Sequence, residues 1–277
     1  MSLRKSTLQT FLVTVLASAS VCQQSPKPAA ASGPTKAADS LCSAGGILCV
    51  AKSLEHSLIS SPLQIAVQVS SSEDIQVDWE VDDAAGQALV SGSSYDYVDP
   101  PFTTTSSSKT LHIKQYLLKP SKSAVGMLVL TPSRFDVSSG KTDLPKLEIP
   151  IRLNIATTKL TILLPADPDK YQAEVASSVE GDFSARFEPK TPLVPQSVIV
   201  MKVARGDLMG TTAEAVLQAM PGQATWHVTN VRMDGGVAHI KLDAGGWAGV
   251  TYYSRAICFL IDKSLLRFRG VAQVIFD

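Results

Sequence analysis

The chain has 277 residues, with 25 Lys plus Arg against 25 Asp plus Glu: enough length for two cores, and no net charge. That balance argues against bulk attraction to nucleic acid or anionic lipid. Four cysteines in no metal-type spacing are too few for a disulfide scaffold and do not suggest a zinc module.

Arg4 and Lys5 precede a short apolar run, Phe11 to Ala17, and Ala17-Ser18-Ala19 then sets small residues where a signal peptidase reads. A spanning helix needs about 20 apolar residues, so this run is too short. Residues 1–21 are expected to be an export signal, with a buried amphipathic helix as the alternative. Cys22 is a lipidation candidate after Ala19-Ser20-Val21, a loose lipobox. Acylation there would anchor the protein at a membrane surface; cleavage after Ala19 would release it. Residues 22–56 read as a flexible linker, rich in Pro, Ala and Ser as far as Ser40. Within it, Cys42 and Cys49 flank Gly45-Gly46. They either close a small disulfide loop in an oxidising compartment or stay as two buried thiols beside Ile47, Leu48 and Val50.

Residues 57–156 have an apolar period of two. Leu63, Ile65, Val67 and Val69 alternate with polar or small residues, as do Ile75, Val77, Trp79 and Val81, and Leu147 to Ile155. Half-buried antiparallel strands give this pattern, and turn clusters at Ser70-Ser71-Ser72, Ala85-Gly86 and Ser138-Ser139-Gly140 separate them. Met127 to Leu130 suits a strand buried on both faces. A β-sandwich is expected. Pro150 lacks a ladder donor, so its strand lies at an edge or turns that position outward.

Residues 157–277 change in texture. Leu160, Ile162 and Leu164 predict a strand, followed by an irregular Pro-containing stretch to Pro195 and a strand over Val198 to Val203. Thr211 or Thr212 can cap a helix with Ala213, Val216, Leu217 and Met220 on its apolar face, stopped by Pro221-Gly222. Trp226 to Met233 and Val237 to Leu242 form a hairpin across Asp234-Gly235. A second helix covers Val250 to Lys263, burying Tyr253, Ile257, Leu260 and Ile261, and Val271 to Phe276 is the closing strand. The order is β-β-α-β-β-α-β, an α+β layer domain.

Three stretches of this second half carry a resemblance: Thr212 to Leu217, Val231 to Ile240, and Val271 to Phe276. Together they resemble the GerMN domain, a family named for spore germination and sporulation and widespread in bacterial envelope proteins. Ile59 to Leu63, Trp79 to Leu89 and Ile149-Pro150-Ile151 resemble the immunoglobulin-like module found alongside it. The resemblance implies an immunoglobulin-like β-sandwich followed by a GerMN-like α+β domain, with an envelope role in assembly or interaction. It supplies no catalytic residues.

The chemistry points the same way. No metalloprotease, nucleophile-elbow, P-loop, C-x-x-C or dinucleotide motif occurs. Asp78, Glu80 and Asp82 share one strand face, but alternate residues lie about 6.6 Å apart, too spread for calcium, and a solvated face is the better reading. His239 and Asp243 stand about 13 Å apart on one strand, and His227 beside Trp226 reads as structural. Trp247, on the Gly-rich loop Gly245 to Gly249, is the best candidate binding anchor, with Tyr252 and Arg255 behind it; its other reading is a hydrophobic staple on the helix start. Arg255, Lys263, Arg267 and Arg269 gather near that helix's C-terminus, where its dipole favours them. Cys258 reads as a reduced core thiol. The expectation is an exported, non-catalytic envelope interaction module without cofactor or metal; the alternative is a binder of cell-wall glycan or peptide. Partner identity and oligomerisation stay open.

Overall fold

The computed structural model describes residues 39–71, 75–93, 108–136, 140–177, 187–204, 206–220, 226–243 and 252–277. It is mostly β-sheet, arranged in several sheets, with three α-helices among the described residues.

The first half builds two sheets. Strands β1 (Ser40–Cys42), β2 (Leu48–Ala51), β4 (Leu63–Val69) and β7 (Lys109–Gln115) form one, antiparallel in the order β1-β2-β4-β7. The other runs β3 (Leu58–Ile59), β10 (Leu147–Leu153), β8 (Val125–Asp136), β5 (Ile75–Asp83) and β6 (Ala88–Ser93), with β9 (Gly140–Asp143) also on β8. Inward residues of both sheets share one core: Leu48, Ile65 and Val67 from the first pack with Val77, Leu128 and Ile149 from the second. The alternation read in β4, β5 and β10 is thus the alternation of burial, Leu63, Ile65 and Val67 facing in and Gln64, Ala66 and Gln68 out. At Gly92 an added Cβ would come within 2.5–2.7 Å of the Trp79 indole, so this cross-strand neighbour must lack a side chain.

Two expectations change here, and one alternative is decided. The stretch assigned to the linker, residues 22–56, supplies sheet from Ser40 onward, because Leu48 and Val50 are apolar enough to be buried in the core. Cys42 and Cys49 face each other across β1 and β2 and are disulfide-bonded rather than two thiols. The last strand stops at Leu153, and Ile155 is 56% exposed. Pro150 keeps to its rule. Its carbonyl accepts from His56 N–H (2.7 Å) and Arg152 N–H donates to Ser57 (2.8 Å), so its missing donor faces that side, away from β8.

In the second half, β11 (Thr157–Pro165) pairs antiparallel with β12 (Leu193–Met201). A separate sheet holds β13 (His227–Asp234), β14 (Val237–Asp243) and β15 (Gln273–Phe276), the last parallel to β14. Asp234 faces Val237 across Gly235-Gly236, both at positive φ (53° and 89°), the two-residue turn the sequence demanded. Helices α1 (Pro168–Ser177), α2 (Leu208–Ala219) and α3 (Tyr252–Leu265) contact β11, and α2 packs on α3 and β13.

Helix α1 occupies the stretch read as irregular. Asp167 caps it, its carboxylate accepting from Lys170 N–H (3.0 Å), and Pro168 stands at the first helical position, where no donor is needed. Tyr171 and Val175, four apart, bury its single apolar edge. Glu174 on the next face accepts from the backbone of Lys190 and Thr191 (2.9 and 3.1 Å), tying residues 190–191 to the helix. Helix α2 starts earlier than expected, at Leu208. Thr211 and Thr212 are inside it, their hydroxyls donating to the carbonyls of Asp207 and Leu208 (both 2.8 Å) rather than capping. Every residue from Gly210 to Leu217 is buried, so α2 is an interior helix rather than an amphipathic surface one.

The two halves interlock. Met201 of β12 belongs to the first core, and Tyr116, just after β7, belongs to the second. Ser61 N–H donates to Lys202 O (3.0 Å) and Ala204 N–H to Ser61 O (2.8 Å), while Lys114 pairs with Asp207 at 3.4 Å. From Lys36 to Asp277 the chain forms one compact unit.

Candidate functional site

The sequence-level binding candidates are not gathered into a described site. Trp247 lies outside the described residues, as does Cys22. Tyr252 opens α3, but its side chain is also outside them; Arg255 follows within the helix, half-buried. Of the other residues weighed, Cys258 is half-buried and unbonded on α3, and burial pushes its thiol up to about 12, which keeps it protonated and unreactive. His239 Nδ1 lies 3.3 Å from Asp277.

The acidic residues of β5 have structural tasks, among them Asp83, which stands beside the face of Asp78, Glu80 and Asp82. Asp83 accepts from Ala85 and Gln87 N–H (2.9 and 3.0 Å) and closes the β5–β6 turn. Asp78 pairs with Lys141 and accepts from Gln76; burial raises its pKa, but Lys141, Ser93 and Gln76 outweigh that and hold it below the ordinary value. Among the described residues no group of three or more His, Cys, Asp or Glu converges as a metal site would require.

A cleft of about 390 Å³ opens where the halves meet. Ala88 to Ser91 of β6 line it, with Gln115, Tyr116, Leu118 and Lys119 from the end of β7 and beyond, Glu214 and Gln218 from α2, and His227 from β13. Glu214 is only 1% exposed. Such a carboxylate survives burial only if its lone pairs are engaged. Its Oε2 accepts from Val228 N–H (2.7 Å); its Oε1 lies 2.9 Å from His227 Nδ1 and accepts from Gln218 Nε2 (3.2 Å). The contact with Nδ1 fixes the orientation of the ring. Glu214 thereby joins α2 to the start of β13.

Beside this satisfied cluster are two groups that are not. Among the described residues, the Tyr116 hydroxyl and Gln115 Oε1 have no hydrogen-bond partner, in residues 3% and 2% exposed. Gln115 Nε2 lies 3.4 Å from His227 Nδ1. Burial, then the charges of Asp207 and Glu214, raise the Tyr116 pKa, so the phenol stays protonated and is a donor looking for an acceptor. Its ring leans on α2 at Gly210, where a Cβ would lie 2.6 Å from Cζ.

The sequence hid this site because each residue reads as something else. Glu214 in a helix reads as solvent-facing, and His227 as a strand residue. One signal was available: Gly210, Thr211, Thr212, Ala213 and Ala215 are small on every face of α2, which is what close packing all round requires.

Replacing Glu214 by alanine leaves the buried Val228 N–H without an acceptor and should cost about 3 kcal/mol, read as a fall in the urea midpoint. Glu214→Gln keeps an acceptor for Val228 and should recover most of that. A loss under about 0.5 kcal/mol for the alanine variant would show that the carboxylate does not bind the two elements together.

No protein-family model matches the chain, and no curated protein does. Among solved structures, the C-terminal domain of Wzt is similar at 10% identity and a TM-score of 0.28, over 35% of this chain and 62% of that one. The match thus spans less than two thirds of that domain. Among the described residues no helix is long and apolar enough to cross a membrane.

Proposed function

We propose that this chain is an exported, non-catalytic module of the bacterial cell envelope that works by engaging a partner. The observation that carries the reading is the cleft of about 390 Å³, where the polar residues Gln115, Lys119, Glu214, Gln218 and His227 stand in an apolar frame of Leu89, Val90 and Leu118. Ligand sites are typically concave and apolar with a few placed polar groups, and such a site serves recognition without a reacting atom. The fold reading that goes with it is an immunoglobulin-like sandwich to about residue 156 followed by a GerMN-like α+β unit, in which α1 is an added helix. The Cys42–Cys49 bond supports export, since structural disulfides persist in oxidising compartments. The N-terminal charge and apolar pattern supports it independently. The cleft also favours the second reading, recognition of a cell-wall glycan or peptide, over assembly through a flat surface.

Intact mass of protein purified from the native host tests the location. Residues 1 to about 19 should be missing, with an N-terminus either at a lipid-bearing Cys22 or at Ser20. A chain retaining Met1 and a reduced Cys42 would refute export.

A further inference from the structure

We propose that β12 is a self-association edge: two copies of the chain pair through it, antiparallel about a two-fold axis, and join their β11–β12 ribbons into one four-stranded sheet. This goes beyond the cleft, to which β12 contributes no residue. Three hydrogen bonds fix where the backbone groups of β12 point. Ala166 N–H donates to Pro192 O (2.9 Å) and Lys202 N–H to Ala156 O (2.8 Å), so the facing pairs just past each end of the ribbon are bonded ones. Between them, bonded and non-bonded pairs alternate. Leu163 and Pro195 form a non-bonded pair, and Leu163 N–H turns away from β12 to donate to Ser264 Oγ (2.9 Å). Pro195, Ser197 and Ile199 therefore aim their backbone groups at the outer edge. Among the described residues, β12 pairs with β11 alone.

That edge is accessible and weakly guarded. Val194, Pro195, Gln196 and Ser197 are exposed in succession, and Ile199 is 58% exposed. Edge strands are commonly kept apart by charges, bulges or proline. No charged residue stands between Lys190 and Lys202, so a copy of the strand meets this one without like charges face to face. The one guard is Pro195. It still accepts through its carbonyl, so its missing N–H removes one bond per copy. The occupant is a second copy because the edge is complementary to itself. Antiparallel pairing about a two-fold axis uses the same patch on both sides, matching the N–H groups of Ser197 and Ile199 to outward carbonyls of the other copy. Leu193, Pro195 and Ile199 share one face of the ribbon by their spacing of two. Centred on the exposed stretch, the pairing brings Ile199 of each copy to the Leu193–Pro195 end of the other, apolar against apolar.

Sedimentation velocity of the chain over roughly a hundredfold range of concentration should show a monomer–dimer equilibrium with a Kd of about 10 μM, the weak regime of a small contact. As concentration rises, the amides of Ser197 and Ile199 should gain protection from hydrogen exchange. Those of Val198 and Val200, bonded to β11, should be protected throughout. Ser197→Pro removes an outward N–H that β11 does not use. Ile199→Glu sets a carboxylate across from Lys159 within the chain but on the apolar contact between copies, so the monomer should keep its thermal midpoint. Each change should weaken the dimer about tenfold or more. A chain that stays monomeric, a dimer that survives both substitutions, or protection that appears elsewhere and not at Ser197 and Ile199 overturns the inference. If the chain stays monomeric and a photoreactive residue at Gln196 captures a different protein in cells, the edge serves a foreign strand and self-association falls.

Discussion

Gly210→Ala is expected to destabilise the protein by about 3 kcal/mol, the opposite of what the same change does in an ordinary helix. At an unstrained interior helical position alanine is favoured over glycine by about 1 kcal/mol. Gly210 is helical, in the first turn of α2, but the new methyl would fall on the Tyr116 phenol, within 2.6 Å of Cζ and closer still to the hydroxyl. The ring cannot step aside cheaply, because it is 3% exposed and part of the second core. For a chain of this size such a loss lowers the thermal midpoint by roughly 10 °C. The control is the same change in a Tyr116→Leu background, where the clash is gone and alanine should be neutral or stabilising. A double-mutant cycle showing no coupling between the two positions would mean that Tyr116 does not rest on α2.

The second large effect follows from the interlocked cores. Residues 157–277 expressed alone should fail to form a cooperatively folded unit, although the change of texture near Ala156-Thr157-Thr158 marks that point as a natural boundary. Cutting there removes Tyr116 and the adjoining Leu118 from the second core. It uncovers Met201, which is fully buried in the first core, and breaks the backbone bonds of Lys202 and Ala204 to Ala156 and Ser61. Loss of one buried aromatic typically costs about 3–5 kcal/mol, against a whole-domain stability of about 5–15 kcal/mol. The fragment should keep far-UV helical signal while losing near-UV signal and a sharp transition. Co-expression with residues 39–156 should restore both. A fragment that melts sharply alone would show that the two cores are independent.

These contrasts show what the sequence could and could not reveal. Strands β4, β5 and β10 were legible because one wet face and one buried face leave a period of two in any half-buried strand. The hairpin of β13 and β14 was legible because only residues tolerant of positive φ fit its turn. Helix α1 was missed because its apolar edge is two residues wide, so its start signal, Asp167-Pro168, was the only strong mark. Helix α2 was recognised, but its burial was not: its apolar face showed, while Thr211 and Thr212 read as its cap and a charged Glu214 gives no sign of burial. The cleft could not have been found by any local reading. Ala88, Gln115, Glu214 and His227 come from four separate elements or their ends, brought together by the packing of Tyr116 on Gly210 and the Lys114–Asp207 pair. Trp247, the sequence's best anchor, lies outside the described residues, so its role rests on the sequence alone.

In-cell photocrosslinking is the most direct test of the cleft as the working surface. A photoreactive amino acid at Ser91, on the cleft wall, is compared with one at Lys170, on the exposed start of α1, in intact cells of the native host. The expected result is a discrete adduct from position 91 in the envelope fraction, absent from position 170. Adducts of equal yield from both positions, or none from position 91, would contradict it.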